Sequence, residues 1–113
     1  MANVELTVPV GAEWEATRDR IVRSAVRAAF FLFAADTRVE RVRARILVAG
    51  ITAQPVPAFY GEIVRAAFQG INPNQGTTED LLSLFNTVQW YSLPIADTVN
   101  VNSSPMARDL NRP

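Results

Sequence analysis

The sequence predicts one mainly α-helical domain, with about four helices in a small bundle between an extended N-terminal arm and an extended C-terminal tail. Three observations lead to this prediction. Apolar residues recur at helical spacing over residues 12–35, turn and capping residues divide the next stretch into further helical segments, and both ends of the chain lack helical periodicity. We therefore divide the chain into an arm at residues 1–10, a helical core at 11–92 and a tail at 93–113.

The composition excludes several kinds of chemistry. Of the 113 residues, 49% are hydrophobic and 19% are charged, which is typical of a single globular domain. The chain has no cysteine and no histidine, so it lacks thiolate nucleophiles, disulfides and the side chain that most often serves as a general base or metal ligand. We therefore expect that the protein is not an enzyme and that it holds no metal ion or cofactor.

The arm has the pattern of a strand. Apolar residues from Val4 to Val10 alternate with polar residues and a proline, and this period of two predicts an extended segment. Pro9 has no N–H group to donate to a sheet, so the strand must lie at an edge. Because a single strand is not stable alone, we expect it to add to another sheet, either in this chain or in a neighbouring subunit.

Residues 12–35 form the best-defined predicted helix. Trp14, Ile21 and Ala25 begin an apolar stripe, and from Ala28 to Phe33 the helix is apolar on nearly all sides. Such a helix end must be buried over most of its surface. In so small a domain we expect a second subunit to cover part of it; the alternative is that the helix lies at the centre of a compact bundle.

Residues 37–49 fit two different structures. Thr37 and Glu40 have the spacing of a capping box, and apolar residues continue from there at helical spacing. The alternative is a strand, because apolar residues also alternate with arginines over residues 42–48. We prefer the helix because of the capping box and the helix propensities of arginine and alanine. A strand at residues 41–48 would instead make the fold α+β.

Two further helices complete the predicted bundle. A pair of prolines after residue 54 holds the chain extended, and a third helix follows over residues 59–70. The asparagines, proline and glycine of residues 71–76 predict an exposed loop. Thr77 or Thr78 then caps a fourth helix, which ends near Trp90.

Arginine is the most distinctive feature of the composition. All eleven basic residues are arginines, and eight of them lie between Arg18 and Arg45, in two stripes that would suit phosphate groups. The predicted nucleic-acid-binding residues are Arg20, Arg23 and Arg27 on the first helix and Arg38, Arg41 and Arg45 on the second. The alternative is a solvated surface, or pairing with acidic residues from elsewhere in the fold. No helix-turn-helix, zinc-finger or glycine-rich phosphate-loop pattern occurs, so any contact would be with backbone phosphates.

Apolar and aromatic residues indicate where copies of the chain would meet. The strand of the arm, the apolar end of the first helix and the aromatic pair before the tail are the surfaces we expect to take part. The predicted interface residues are Val4, Leu6, Val8, Phe30, Phe31, Phe33, Trp90 and Tyr91. The tail has three prolines and no helical stripe, and we expect a neighbouring subunit to anchor it.

These features together predict a structural subunit that assembles with copies of itself into a homo-oligomeric particle. A viral or phage coat or connector protein fits this description, with an arginine-lined surface that contacts nucleic acid. The alternative is a small dimeric regulator or adaptor that binds a protein or nucleic-acid partner. No apolar stretch is long enough to span a membrane and no signal peptide is evident, so we expect a location in the cytoplasm or the virion and no membrane partner.

Overall fold

In the part of the chain that the structure describes, four strands form one mixed sheet, and a single long helix packs against one of its faces. This computed structural model describes residues 1–68, 72 and 74–93, so almost all of the predicted tail lies outside the described residues. The elements in chain order are β1 (Ala2–Pro9), α1 (Trp14–Ala35), β2 (Arg41–Ala49), β3 (Val56–Val64), a 3-10 turn (Arg65–Phe68), the short helix α2 (Thr78–Leu82) and β4 (Thr87–Trp90).

The prediction of a mainly α-helical bundle was wrong, because the fold is α+β. The error begins at β2, where the alternative strand reading of residues 41–48 is the correct one. Val42, Ala44, Ile46 and Val48 are fully buried while the arginines between them are exposed, which is the period of a strand with one buried face. Pairing with a strand on each side outweighs the local helix propensity. Thr37 lies in a turn and begins no helix.

The third and fourth predicted helices were also wrong. Residues 56–64 are a strand followed by one 3-10 turn, because the two prolines keep the chain extended and Phe59 and Ile63 then point to the same buried face. The helix cap predicted at Thr77 or Thr78 is present at Thr77, where it forms a capping box with the Thr77 hydroxyl accepting a hydrogen bond from Asp80 N at 3.1 Å. However, the helix that it begins ends at Leu82, and the chain then enters β4.

β1 and β2 are parallel neighbours, and α1 is the connection between them. The strand order is β1-β2-β3-β4, with β3 antiparallel to β2 and β4 antiparallel to β3, so β1, β2 and β4 run in the same direction. The strand predicted for the arm is confirmed. It is an edge strand, as Pro9 requires, and it adds to the sheet of its own chain.

One apolar interior lies between α1 and the sheet. On the helix side, Ile21, Val22, Ala25, Val26 and Ala29 are fully buried, and they pack against the alternate residues of β2 and against Phe59 and Ile63 of β3. The face of the sheet turned away from α1, which we call the open face, carries the exposed polar and charged side chains of the strands. The sheet therefore has one buried apolar face and one exposed polar face.

Two polar side chains that the sequence analysis did not single out hold the two ends of α1. At its start, the fully buried Thr17 accepts a hydrogen bond from Gly11 N at 2.7 Å and donates one to the carbonyl oxygen of Glu13 at 3.3 Å. At its end, the guanidinium of Arg65 donates to three backbone carbonyl oxygens of the helix terminus and the following turn. These contacts satisfy polar groups that a helix leaves without partners.

Candidate interaction surfaces

Arg23 lies at the centre of a polar network that joins α1 to the segment around α2. Its Nε donates to Asp19 Oδ2 at 2.8 Å, and its terminal nitrogen donates to the carbonyl oxygen of Gly76 at 2.7 Å. Asp19 also accepts a hydrogen bond from the Thr78 hydroxyl at 2.5 Å. These bonds, first the one from Arg23 and then the one from Thr78, hold the pKa of Asp19 below its ordinary value of 3.8.

The other two predicted binding arginines of α1 also have partners in the chain. Arg20 donates to the carbonyl oxygen of Pro9 at 3.2 Å, and Arg27 donates to the side-chain oxygen of Asn74 at 3.1 Å. Arg20 therefore fastens α1 to the end of β1 on one side. Arg27, together with Arg23, fastens it on the other side to the loop before α2.

Arg18 was not among the predicted site residues, although it belongs to the same surface. Its guanidinium lies 2.7 Å from a carboxylate oxygen of Glu79 and 5.6 Å from the centre of the Trp90 ring. It thus links α1, α2 and β4 through one ion pair and one cation–π contact.

The structure groups the remaining arginines differently from the prediction. The period of two along β2 places Arg41, Arg43 and Arg45 together on the open face, whereas Arg38 lies in the turn before β2 and pairs with Asp36 at 3.1 Å. The helical interpretation missed Arg43 because it placed this residue on a different face from Arg41 and Arg45. Exposed arginines two apart were the sequence signal for the correct grouping.

Two glutamates from the neighbouring strands neutralise most of this row of arginines. Glu5 on β1 accepts a hydrogen bond from Arg45 at 2.7 Å, and Glu62 on β3 accepts one from Arg43 at 3.0 Å. Arg41 lies 3.9 Å from the other oxygen of Glu62. The hydrogen bond with Glu62 raises the pKa of the Arg43 guanidinium above its ordinary value. Three arginines against two glutamates leave an excess of one positive charge in this cluster.

All six predicted nucleic-acid-binding arginines therefore have an acidic, amide or carbonyl partner inside the chain. A phosphate group would have to compete with these partners, which reduces the attraction that eleven arginines would otherwise exert. The α1 arginines have a structural role in fastening the helix. Their contact with nucleic acid stays a prediction.

Five of the eight predicted interface residues pack within the chain itself. Val4 and Leu6 are half-buried beneath α1, while Val8 and Phe33 are 5% and 4% exposed. The ring of Trp90 packs edge-on against two other aromatic rings, those of Trp14 and Phe59. The other three predicted residues are exposed at the surface, and they are Phe30, Phe31 and Tyr91.

The last two turns of α1 form an apolar surface that this chain covers only in part. Residues 28–35, which we call the apolar helix end, contain no charged or polar side chain. Phe31 is 73% exposed and Phe30 is 41% exposed. The ring of Phe30 also packs edge-on against the ring of Phe68, with 5.8 Å between the ring centroids. Beside them is a shallow groove of about 520 Å³, lined by Phe30, Phe33, Ala34, Glu40, Arg65, Ala66 and Phe68.

The described part of the chain offers neither a metal-binding group nor a membrane-spanning helix. Within residues 1–68, 72 and 74–93, acidic side chains do not gather in groups of three that could hold an ion. The one long helix in the same residues is too polar in its first half to cross a bilayer.

Comparison of the chain with protein-family models, with curated proteins and with solved structures found no match. A functional conclusion therefore has to come from the surfaces described above.

Proposed function

We propose that the protein is a structural subunit that assembles with copies of itself into a homo-oligomer. The observation that supports this proposal is the exposure of the apolar helix end. A solvent-facing helix position is normally polar, yet here the most outward residue of the last two turns is Phe31, flanked by alanines and further aromatic rings. An apolar surface of this kind marks a site of protein contact.

The charge distribution is compatible with contact between identical chains. The formal net charge is zero, so two copies meet no long-range repulsion. The apolar helix end itself contains no charged side chain, and the charged residues around it, Arg27, Asp36, Glu40 and Arg65, already have partners within the chain. Burial of two such surfaces against each other leaves no ion without its partner.

The class of assembly suggested by the sequence, a viral or phage coat or connector, remains part of this proposal. Nucleic-acid contact is its weaker component, because the arginines that would provide it are engaged within the chain. The alternative, a small dimeric regulator or adaptor, would use the same apolar surface but would stop at two copies. Particle size therefore separates the two classes.

Light scattering coupled to size-exclusion chromatography tests the proposal. A single chain has a mass of 12.5 kDa, and we expect a multiple of this mass that persists on dilution. A large uniform particle supports a coat or connector, and a dimer supports the regulator or adaptor. A monomer at all concentrations would overturn the proposal. The ratio of absorbance at 260 and 280 nm, measured at low and high salt, reports retained nucleic acid.

A matched pair of variants ties the assembly to the apolar helix end. Phe31→Gln removes the exposed ring without touching the core, and we expect it to weaken self-association roughly tenfold to a hundredfold. Val88→Gln changes an exposed apolar residue on β4 and should leave association unchanged. Equal dissociation constants for the two variants would show that the apolar helix end is not part of the interface.

A further inference from the structure

Within the described residues, the backbone groups along the outer edge of β1 have no partner. In a parallel pair, alternate residues of a strand direct both N–H and C=O toward the neighbour, and the residues between them direct both outward. The hydrogen bond from Val10 N to Ala49 O, at 2.9 Å, shows that the even-numbered residues of β1 face β2. Asn3, Glu5 and Thr7 therefore direct their backbone groups outward, and no hydrogen bond to these groups occurs among the described residues.

The same edge leaves apolar side chains partly uncovered on the face beneath α1. Val4 and Leu6 of β1 are half-buried, whereas Ala44 and Ile46, their register partners on β2, are fully buried. The difference arises because the sheet ends at β1. A further strand at this edge would give Val4 and Leu6 the lateral neighbour that the side chains of β2 already have.

α1 presents its apolar helix end toward this edge. Arg20 marks the β1 side of the helix because it reaches the carbonyl oxygen of Pro9. On a helix of 3.6 residues per turn, Phe31, Ala35 and Ala28 lie within about 80° of Arg20, in the direction away from Arg23 and Arg27. The end of α1 lies near the first half of β1, since Ala2, Val4 and Leu32 all pack against the apolar cluster that contains Phe33.

We propose that β1 pairs antiparallel with β1 of a second copy of this chain, about a two-fold axis at Val4. This inference deepens the proposed function and rests on it, with the two-fold dimer as the unit that a second contact would join into a larger particle. The two four-stranded sheets then become one continuous sheet of eight strands. The two α1 helices lie side by side across the axis and bury Phe31, Leu32 and Ala35 against their counterparts. One symmetric contact thus covers both unsatisfied surfaces, the strand edge and the apolar helix end.

The one charge of β1, at Glu5, is compatible with this register and disfavours an axis at Glu5 itself. With the axis at Val4, Asn3 lies opposite Glu5 of the second copy, and the two pairs exchange about four backbone hydrogen bonds. An axis at Glu5 would instead place the two Glu5 carboxylates opposite each other, which is unfavourable. With Asn3 opposite, the carboxylate of Glu5 keeps its ion pair with Arg45 on the open face.

A cysteine at the axis tests the arrangement directly, since the chain has no cysteine of its own. Opposed residues that are not hydrogen-bonded to each other have Cα atoms about 4.5 Å apart, within the range that a disulfide spans. With oxidised glutathione as the electron acceptor, we expect Val4→Cys to link most chains into covalent dimers. Thr87→Cys, on the opposite edge strand β4, serves as the control and should remain unlinked.

Replacement of Asn3 tests the register without altering a buried side chain. Asn3→Lys places an ammonium group opposite Glu5 and should tighten the dimer, whereas Asn3→Glu should weaken it, each by roughly threefold to thirtyfold because the pair occurs twice. Thr87→Glu should change nothing. Light scattering over a dilution series gives the dissociation constants.

The possible results separate this inference from the proposal on which it rests. An oligomer that forms without the Val4→Cys link, and with equal affinity for the two Asn3 variants, overturns the edge pairing but leaves self-assembly in place. A link at Thr87→Cys instead of Val4→Cys also overturns it, in favour of β4. A wild-type monomer overturns both proposals together.

Discussion

The guanidinium of Arg65 donates a hydrogen bond to the main-chain carbonyl oxygen of Phe33 at 3.0 Å, while its carbon lies 5.0 Å from the centre of the Phe33 ring. The same guanidinium donates to the carbonyl oxygens of Asp36 at 2.7 Å and Val39 at 2.9 Å. One side chain thus holds together the end of α1, the turn after it and the residues just before β2. Only a guanidinium group, whose three nitrogens lie in one plane, can donate to three carbonyl oxygens arranged in this way.

We expect Arg65→Lys to lower the free energy of unfolding by roughly 1–3 kcal/mol, because lysine keeps the charge but cannot serve three carbonyl groups from one plane. Urea unfolding followed by circular dichroism measures the change. Arg38→Lys is the matched control, since Arg38 is 88% exposed and pairs with an acid two residues away, and it should cost less than about 0.5 kcal/mol. Similar losses in both variants would show that Arg65 acts through charge alone.

Asp19→Asn should make stability less dependent on acid pH. The pKa of Asp19 is lowered in the folded chain, so its ionised form adds stability that is fully present above the ordinary value of 3.8 and is lost as pH falls through the lower folded value. The variant should therefore be less stable than the wild type at pH 7. We expect the difference in stability between the two proteins to disappear as the pH falls below 3.8. Thermal unfolding at a series of pH values from 7 downward measures it. A difference of constant size would mean that the carboxylate charge is not responsible.

Gly61 allows the ring of Phe85 to lie directly on β3. A methyl group at this position would come 2.7 Å from the nearest ring carbon, so Gly61→Ala should cost roughly 1–3 kcal/mol of stability through overpacking. A double-mutant cycle with Phe85→Leu isolates the cause. If the Phe85 ring is responsible, the alanine substitution costs less in the leucine background; equal costs would point to the Phe59 ring instead, whose nearest carbon would lie 2.9 Å from the added methyl group.

Replacement of both Arg23 and Arg27 by alanine should loosen the attachment of the loop at residues 74–76 to α1. Hydrogen exchange of the backbone amides measures this, and we expect faster exchange in the loop than in the wild type while the centre of the sheet stays protected. Nucleic-acid retention at several salt concentrations is the second readout. A large fall in retention with unchanged exchange would assign these arginines to phosphate binding instead.

Local pattern was sufficient for the first third of the fold. The strand that begins the chain and the helix after Gly11 were both predicted, because period two and period 3.6 are unambiguous there and Pro9 fixes the edge position. Residues 41–48 fitted both periods. Their structure is decided by β1 and β3 on either side, and the choice depends on pairing with residues up to 40 positions away in the chain. Local sequence does not contain that information.

The candidate surfaces were likewise predictable from the sequence only in part. The sequence indicated that one small domain would need help to bury the apolar helix end, and Phe30 and Phe31 are exposed in the single chain. The arginine grouping was not predicted, since a strand puts Arg43 beside Arg41 and Arg45 while a helix separates them. Their partners Glu5 and Glu62 come from two other strands, so the near-neutral character of the open face appears only once the sheet is assembled.

The parallel pairing of β1 with β2 also has a consequence for synthesis in the cell. Ala2 pairs with Val42 and Pro9 with Ala49, so β1 has no partner in β2 until about forty further residues have been translated. During that time α1 can form from local contacts, but β1 cannot, because parallel pairing requires closure of the whole intervening loop. The nascent chain thus carries β1 as an unpaired strand with an apolar face during that time, when chaperones or strands of neighbouring nascent chains can bind it.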